Sequence, residues 1–250
     1  MPTLNKACIT GIGWTTAAGA GCGRKGAVPE WGPGLPQPES ALIKELEGGS
    51  RFGRLDLFSR IGLSALALAL ADAGHLPEKA ATSASPRDYG LICATTSGSA
   101  ATDHAFHESL LEHPQLASPG LFVYTLPTSF LGEAALRFAL NGSGLALIEA
   151  RPGGGQALEL ALEQLAEGDE EIVIAGVCNL FSAAENHADF YSGALFVVLE
   201  KYRQSADKSR DVLSLGKKMP GLFWRGRPCP DIFTLSRRLT GNENQERGQT

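Results

Sequence analysis

Residues 141–179, NGSGLALIEARPGGGQALELALEQLAEGDEEIVIAGVCN, constrain this chain most: two short apolar runs flank one helical period and a block of breakers. Leu145–Ile148 has strand length, and Pro152-Gly153-Gly154-Gly155 ends it with residues that permit positive φ or close backbone approach. Ala157, Leu158, Leu160, Ala161, Leu162 and Leu165 then recur at helical spacing, with Glu159, Glu163 and Glu167 on the wetter side. Gly168 stands where a C-cap glycine is expected, and Glu171–Ala175 has the β-branched content of a buried strand. The stretch predicts strand, tight turn, helix, strand. Enzymes use that arrangement to hold a nucleophile above a helix N-terminus, where the helix dipole lowers a thiol's pKa.

The same alternation runs through the rest of the chain. Residues 6–13 (KACITGIG) read as a first buried strand ending in a glycine turn. Residues 19–50 read as a loop with a short helix at 39–47, and Trp14 and Trp31 are candidates to cover the sheet. Residues 51–74 form the strongest helical pattern, with Leu57, Ile61, Ser64, Ala65, Leu68 and Ala71 on one face and leucines over much of the rest. A helix apolar nearly all round is a buried one, and Gly74 closes it. Tyr89–Ala94 is a second buried strand with a small-residue turn at 95–99, and 103–113 reads as a helix carrying His104 and His107 one turn apart. Pro127 enters a helix marked by Phe130, Ala134, Leu136 and Ala139, and SGALFVVLE at 192–200 is a further strand. Alternating strands and helices predict an α/β fold.

With 250 residues, 43% of them apolar, the chain can bury a core as one large domain or two small ones. A formal net charge of −5 gives no reason to expect nucleic acid binding. No apolar run reaches membrane-spanning length and no basic-then-apolar leader is present, so a cytoplasmic location without a membrane span is expected. The five cysteines are scattered without CxxC pairing, which argues against a disulfide framework. Cys8, Cys93 and Cys178 sit in strand-like runs, as small buried hydrophobes do.

The N-terminal ITGIG, Asp56 with Asp72-Ala73-Gly74 on the long helix, the glycine turn, IVIAG at 172–176 and SGALFVVLE, in that order, resemble the β-ketoacyl synthases, the condensing enzymes of fatty acid and polyketide synthesis. The run YTLP…LGEAAL resembles a short ketosynthase-like group found with aryl polyene and related polyketide pathways, although Thr128 stands where the family has asparagine. The resemblance covers about residues 6–200. It implies the N-terminal half of the thiolase fold, a five-stranded mixed sheet with helices on its faces. Residues 201–250 are expected to be an irregular, basic, partly disordered extension. In the family the turn carries Thr-Ala-Cys; here the nucleophile position falls on Arg151, which can be neither acylated nor a thiolate. The family's two catalytic histidines belong to a second half that this sequence does not match, and none of the five histidines stands at such a position. A half fold would leave a helix face uncovered, implying a homodimer or a heterodimer with a full-length ketosynthase. An acyl carrier protein is a further possible partner; no cofactor and no metal are expected.

Each candidate residue has a second reading. Cys178 is a substitute nucleophile or a buried thiol. His104 and His107 are metal ligands or a solvated helix face. Arg151 binds a carrier phosphate or carboxylate at the helix N-terminus, or pairs internally with Glu149 or Glu185. Gly153, Gly154 and Gly155 can cradle a phosphate, although no Lys-Ser/Thr follows as in a P-loop. The basic residues at 217–238 dock an acidic carrier or merely solvate a tail.

Overall fold

The computed structural model describes residues 5–23, 27–39, 41, 52–76, 85–112, 115, 118–168, 170–181, 192–203, 211–216 and 220–241. Residues 42–47 of the expected short helix, the tail at 242–250, and His113, Glu185, His187, Lys217 and Lys218 lie outside the described residues.

Among the described residues nine strands form one mixed sheet: β1 (Lys6–Thr16), β2 (Gly19–Cys22), β3 (Tyr89–Thr95), β4 (Gly144–Ile148), β5 (Ile172–Asn179), β6 (Gly193–Lys201), β7 (Asp211–Leu215), β8 (Leu222–Trp224) and β9 (Arg227–Pro228). Their order is β4-β3-β5-β6-β1-β7-β8-β9, with β2 beside β1. The five strands β4-β3-β5-β6-β1 are the expected sheet: β3 is parallel to β4 and β5, and β6 is antiparallel to β5 and β1. The extra strands arise because the outer edge of the long β1 is paired twice. Residues 6–9 meet β7, and residues 13–16 meet β2.

The helices are α1 (Leu57–Asp72), α2 (Ala100–Glu112), α3 (Pro119–Phe122), α4 (Ser129–Phe138), α5 (Gly155–Glu167) and α6 (Ile232–Leu239). α1 starts later than its apolar pattern suggests, because Asp56 caps it by accepting the Ser59 N–H at 3.0 Å. A separate turn of 3-10 helix precedes it at Phe52–Arg54. Alternate residues of the central strands enter opposite cores. Ile174, Cys178, Phe196 and Val198 pack with α1 and α4, whereas Val173, Ala175, Val177, Leu195 and Val197 pack with α5 and α6. Strands buried on both faces explain why their sequences read as continuous apolar runs rather than alternating ones.

One expectation is corrected here. Residues 211–216 and 220–241 are not an irregular extension, since they continue the sheet and end in a capped helix. Leu213, Leu222, Trp224, Cys229, Ile232, Leu235 and Leu239 are buried in the second core. Asp231 caps α6, its carboxylate accepting the Thr234 N–H at 2.6 Å. Ala157, Leu158, Ala161, Leu162 and Leu165 of α5 are buried in that same cluster. Trp14 is buried there too, and Trp31 packs against it.

Candidate functional site

The expected strand, turn and helix are present as β4, residues 149–154 and α5. Glu149 is the residue on which this turn is built. Its N–H bonds the Thr95 carbonyl at 2.8 Å, which fixes the end of β4 to the end of β3. Its side chain, 7% exposed, then folds back onto the start of α5. One carboxylate oxygen accepts the Gly154 N–H at 2.8 Å and the other accepts the Gln156 N–H at 3.1 Å. The positive end of the helix thus already holds an anion, supplied by the chain itself.

Gly154 occupies the N-cap position with φ of 65°, a conformation that favours glycine. A Cβ there would lie 2.6 Å from Val177 Cγ1, and one on Gly155 would lie 2.7 Å from the Pro230 carbonyl oxygen. The Ile232 N–H donates to the Gly153 carbonyl at 2.9 Å. The glycine run therefore admits the 230–232 segment to the turn. It forms no open phosphate cradle.

Arg151 lies exposed on the outside of this turn. It forms no ion pair with Glu149, whose two oxygens are engaged by backbone N–H groups. The other suggested partner, Glu185, is outside the described residues. Thr128 is not gathered to the same place. It precedes α4 and lines a cavity of about 240 Å³ with Tyr89, Leu131, Ser143 and Gly144. That cavity adjoins the first residues of β4, whereas Arg151 follows the last, roughly 15 Å further along the strand.

Cys178 is fully buried on the α1 side of β5, with its thiol donating to the Phe58 carbonyl at 3.6 Å. Burial, then Cys93 and then Asp56, push this thiol well above its ordinary range. It faces the opposite core from α5, so it replaces no nucleophile at the turn. His104 and His107 are exposed on α2, and His104 pairs with Glu108 at 3.3 Å. No metal-ligand cluster exists among the described residues. The basic C-terminal residues are partly committed within the fold: Arg225 pairs with Asp211 at 2.8 Å, and Arg238 donates to the Pro228 carbonyl at 2.6 Å.

One group went unnoticed in the sequence. Asn179, at the end of β5, accepts the Thr96 N–H at 2.7 Å and the Thr95 hydroxyl at 3.3 Å. It thereby shapes the turn beside Glu149. The only sequence signal was a polar residue closing an apolar strand next to a threonine pair.

A mixed sheet ordered β4-β3-β5-β6-β1, with a tight turn leading from the end of β4 into α5, defines a thiolase-like ketosynthase fold. The model of the β-ketoacyl synthase N-terminal domain matches residues 9–211, and the chain belongs to that family. Among solved structures, the ishigamide ketosynthase/chain length factor superposes with a TM-score of 0.60 at 18% identity, over 84% of this chain and 65% of that one. A β-ketoacyl synthase from Burkholderia phymatum STM815 gives 0.56 at 19% identity, over 83% and 62%. A type II polyketide synthase acyl-carrier protein in complex with its ketosynthase bound to the hexaketide gives 0.55 at 18% identity, over 85% and 62%. This chain therefore spans somewhat less than two thirds of the length of those structures. No curated protein matches it. Among the described residues no helix is long and apolar enough to cross a membrane.

Proposed function

We propose that this chain is a non-condensing, ketosynthase-like accessory protein of fatty acid or polyketide synthesis, of the aryl polyene type. It acts in the cytoplasm beside a full-length ketosynthase or a second copy of itself. The observation that carries the reading is the state of the turn before α5. The position to which the family resemblance assigns the nucleophile is Arg151, and the helix N-terminus behind it is occupied by Glu149. Residues 230–232 close the glycine turn from the other side. Such a turn has neither a thiolate nor a vacant oxyanion-binding dipole, so acyl transfer has no site there.

The partner surface is the free edge of β4. Among the described residues this strand ends the sheet, and its sequence GLALI carries no charge or proline to block pairing. Leu145 and Ile148 on the strand and Leu136 on α4 are exposed, at 36%, 66% and 74%. An apolar strand edge of this kind favours a second strand across it. An acyl carrier protein would then be met by the assembled pair.

Intact-protein mass spectrometry tests the reading. The chain is incubated with acyl-carrier thioesters and acyl-CoA, with and without a thiol-blocking reagent. No adduct, together with co-purification of a ketosynthase, is expected. A stable adduct abolished by the reagent would replace the accessory role with an acyl-transferring enzyme.

A further inference from the structure

The C-terminal helix has a second working face. While Ile232, Leu235 and Leu239 enter the core, Phe233, Ser236 and Arg237 at i, i+3 and i+4 form the adjoining face and meet residues 28–31. Between them lies a cavity of about 480 Å³, lined by Val28, Pro29, Glu30 and Trp31 on one side. That size falls within the roughly 300–1,000 Å³ typical of small-molecule sites.

Its aromatic wall is fixed in advance. Trp31 and Phe233 meet edge to face with centroids 4.8 Å apart. Behind Trp31 stands Gly193, where a Cβ would come within 2.7 Å of the indole ring. Its cation lacks a counter-ion: no ion pair engages Arg237 among the described residues, and its Nε is buried without a hydrogen-bond partner. Glu30 lines the same cavity yet does not pair with it. A partly desolvated guanidinium without an anion is unfavourable, and its planar fork fits the two oxygens of a carboxylate. Beside it, a flat ring is the body that two fixed aromatic side chains best accept.

We propose that this cavity binds a small aromatic carboxylate, with the carboxylate on Arg237 and the ring against Trp31 and Phe233. The helix that completes it lies beyond residue 211, where the family match ends, so the proposal is independent of the accessory reading.

Calorimetric titration of the full chain with benzoate, acetate and inorganic phosphate, followed in parallel by tryptophan emission, tests it. Saturable one-to-one benzoate binding that changes the emission is expected, with acetate and phosphate weaker by roughly tenfold or more. Arg237→Gln is expected to weaken benzoate by roughly tenfold or more, Arg237→Lys by less, with circular dichroism unchanged. If Arg237→Gln does not fold, Glu30→Gln at an exposed position decides, because removing that negative charge should tighten benzoate binding. Absence of saturable benzoate binding, phosphate binding as tight as benzoate, or affinity unmoved in the variant that folds would each overturn the proposal.

Discussion

Ile232 donates its backbone N–H to the carbonyl of Gly153 across 2.9 Å, joining the first residue of the C-terminal helix to the turn before α5. The bond links two segments nearly 80 residues apart in sequence. It places Ile232 against Gly154 and the Pro230 carbonyl against Gly155. A turn that could present a nucleophile is thereby used as a joint. The helix that it anchors adds Ile232, Leu235 and Leu239 to the buried cluster that α5 also enters.

That joint makes α6 a condition of folding. Leu235 is fully buried in the second core, which it shares with residues of α5 and the sheet. Leu235→Ala is expected to lower stability by about 2–5 kcal/mol, and Leu235→Asp to abolish soluble expression. Urea denaturation followed by circular dichroism measures the first and soluble yield the second. A stable Leu235→Asp protein would show that residues 211–241 are an optional appendage.

Glu149 is expected to matter for stability rather than for chemistry. Replacing it with glutamine leaves one oxygen to accept and removes the negative charge at the positive end of α5, a loss of about 1–3 kcal/mol. Alanine should cost more, because the buried Gly154 N–H and the Gln156 N–H then both lose their acceptor. The urea midpoints should rank wild type, glutamine, alanine, and equal midpoints would show that the cap carries no energy.

Two adjacent glycines should respond differently. Gly154 has positive φ and a Cβ would meet Val177 at 2.6 Å, so Gly154→Ala is expected to cost roughly 2–4 kcal/mol. At Gly153 a Cβ would find nothing nearer than Asp231 Cβ at 3.6 Å, and Gly153→Ala should change stability by about 0.5 kcal/mol or less. Thermal unfolding of the two variants side by side is the check. Equal losses would mean that the turn is not shaped by the approach of residues 230–232.

Strands β1, β3, β5 and β6 and the buried helix were legible because burial on both faces leaves continuous apolar runs, and LALALA within α1 needs no partner to be read. The C-terminal strands were not. β8 has three residues and β9 two, and Pro228 and Gly226 look like loop chemistry until β7 supplies a neighbour to pair with. The turn at 152–155 was visible as a turn, but its occupant was not, since nothing local in RPGGG records that Pro230 and Ile232 return to it. Cys178 misled for a related reason. Its place in sequence is near the turn, while the two-residue period of β5 points it into the opposite core.

The β4 edge predicts a self-associating surface. Lysine at position 148 places a charge on the strand that must desolvate for pairing, a device by which natural sheets protect their edges. Ile148→Lys is expected to convert a dimer to a monomer in light scattering at micromolar concentration, with the unfolding midpoint of the monomer little changed because Ile148 is 66% exposed. A wild-type chain that is monomeric and whose sedimentation is unaltered by the substitution would remove β4 as the partner surface.

The thiols give a pH dependence whose sign follows from burial. Cys22 is the exposed cysteine, while Cys8, Cys93, Cys178 and Cys229 are buried, so one fast and four slow reactions with a thiol reagent are expected in the native protein. Burial raises the ionisation of both Cys93 and Cys178 far above the 9.0 of a free thiol. Above that pH the unfolded chain releases protons from these two sites while the folded chain retains them. The unfolded state then binds fewer protons, and stability falls with rising pH by up to about 1.4 kcal/mol per pH unit for each thiol. Below pH 9 both states hold the protons and this contribution vanishes. A Cys93→Ala, Cys178→Ala variant should therefore lose less stability than the wild type between pH 8 and about 10.5, measured as the change in urea midpoint. Parallel curves for the two proteins would mean that these thiols ionise alike in the folded and unfolded states, and so are not sealed in the core.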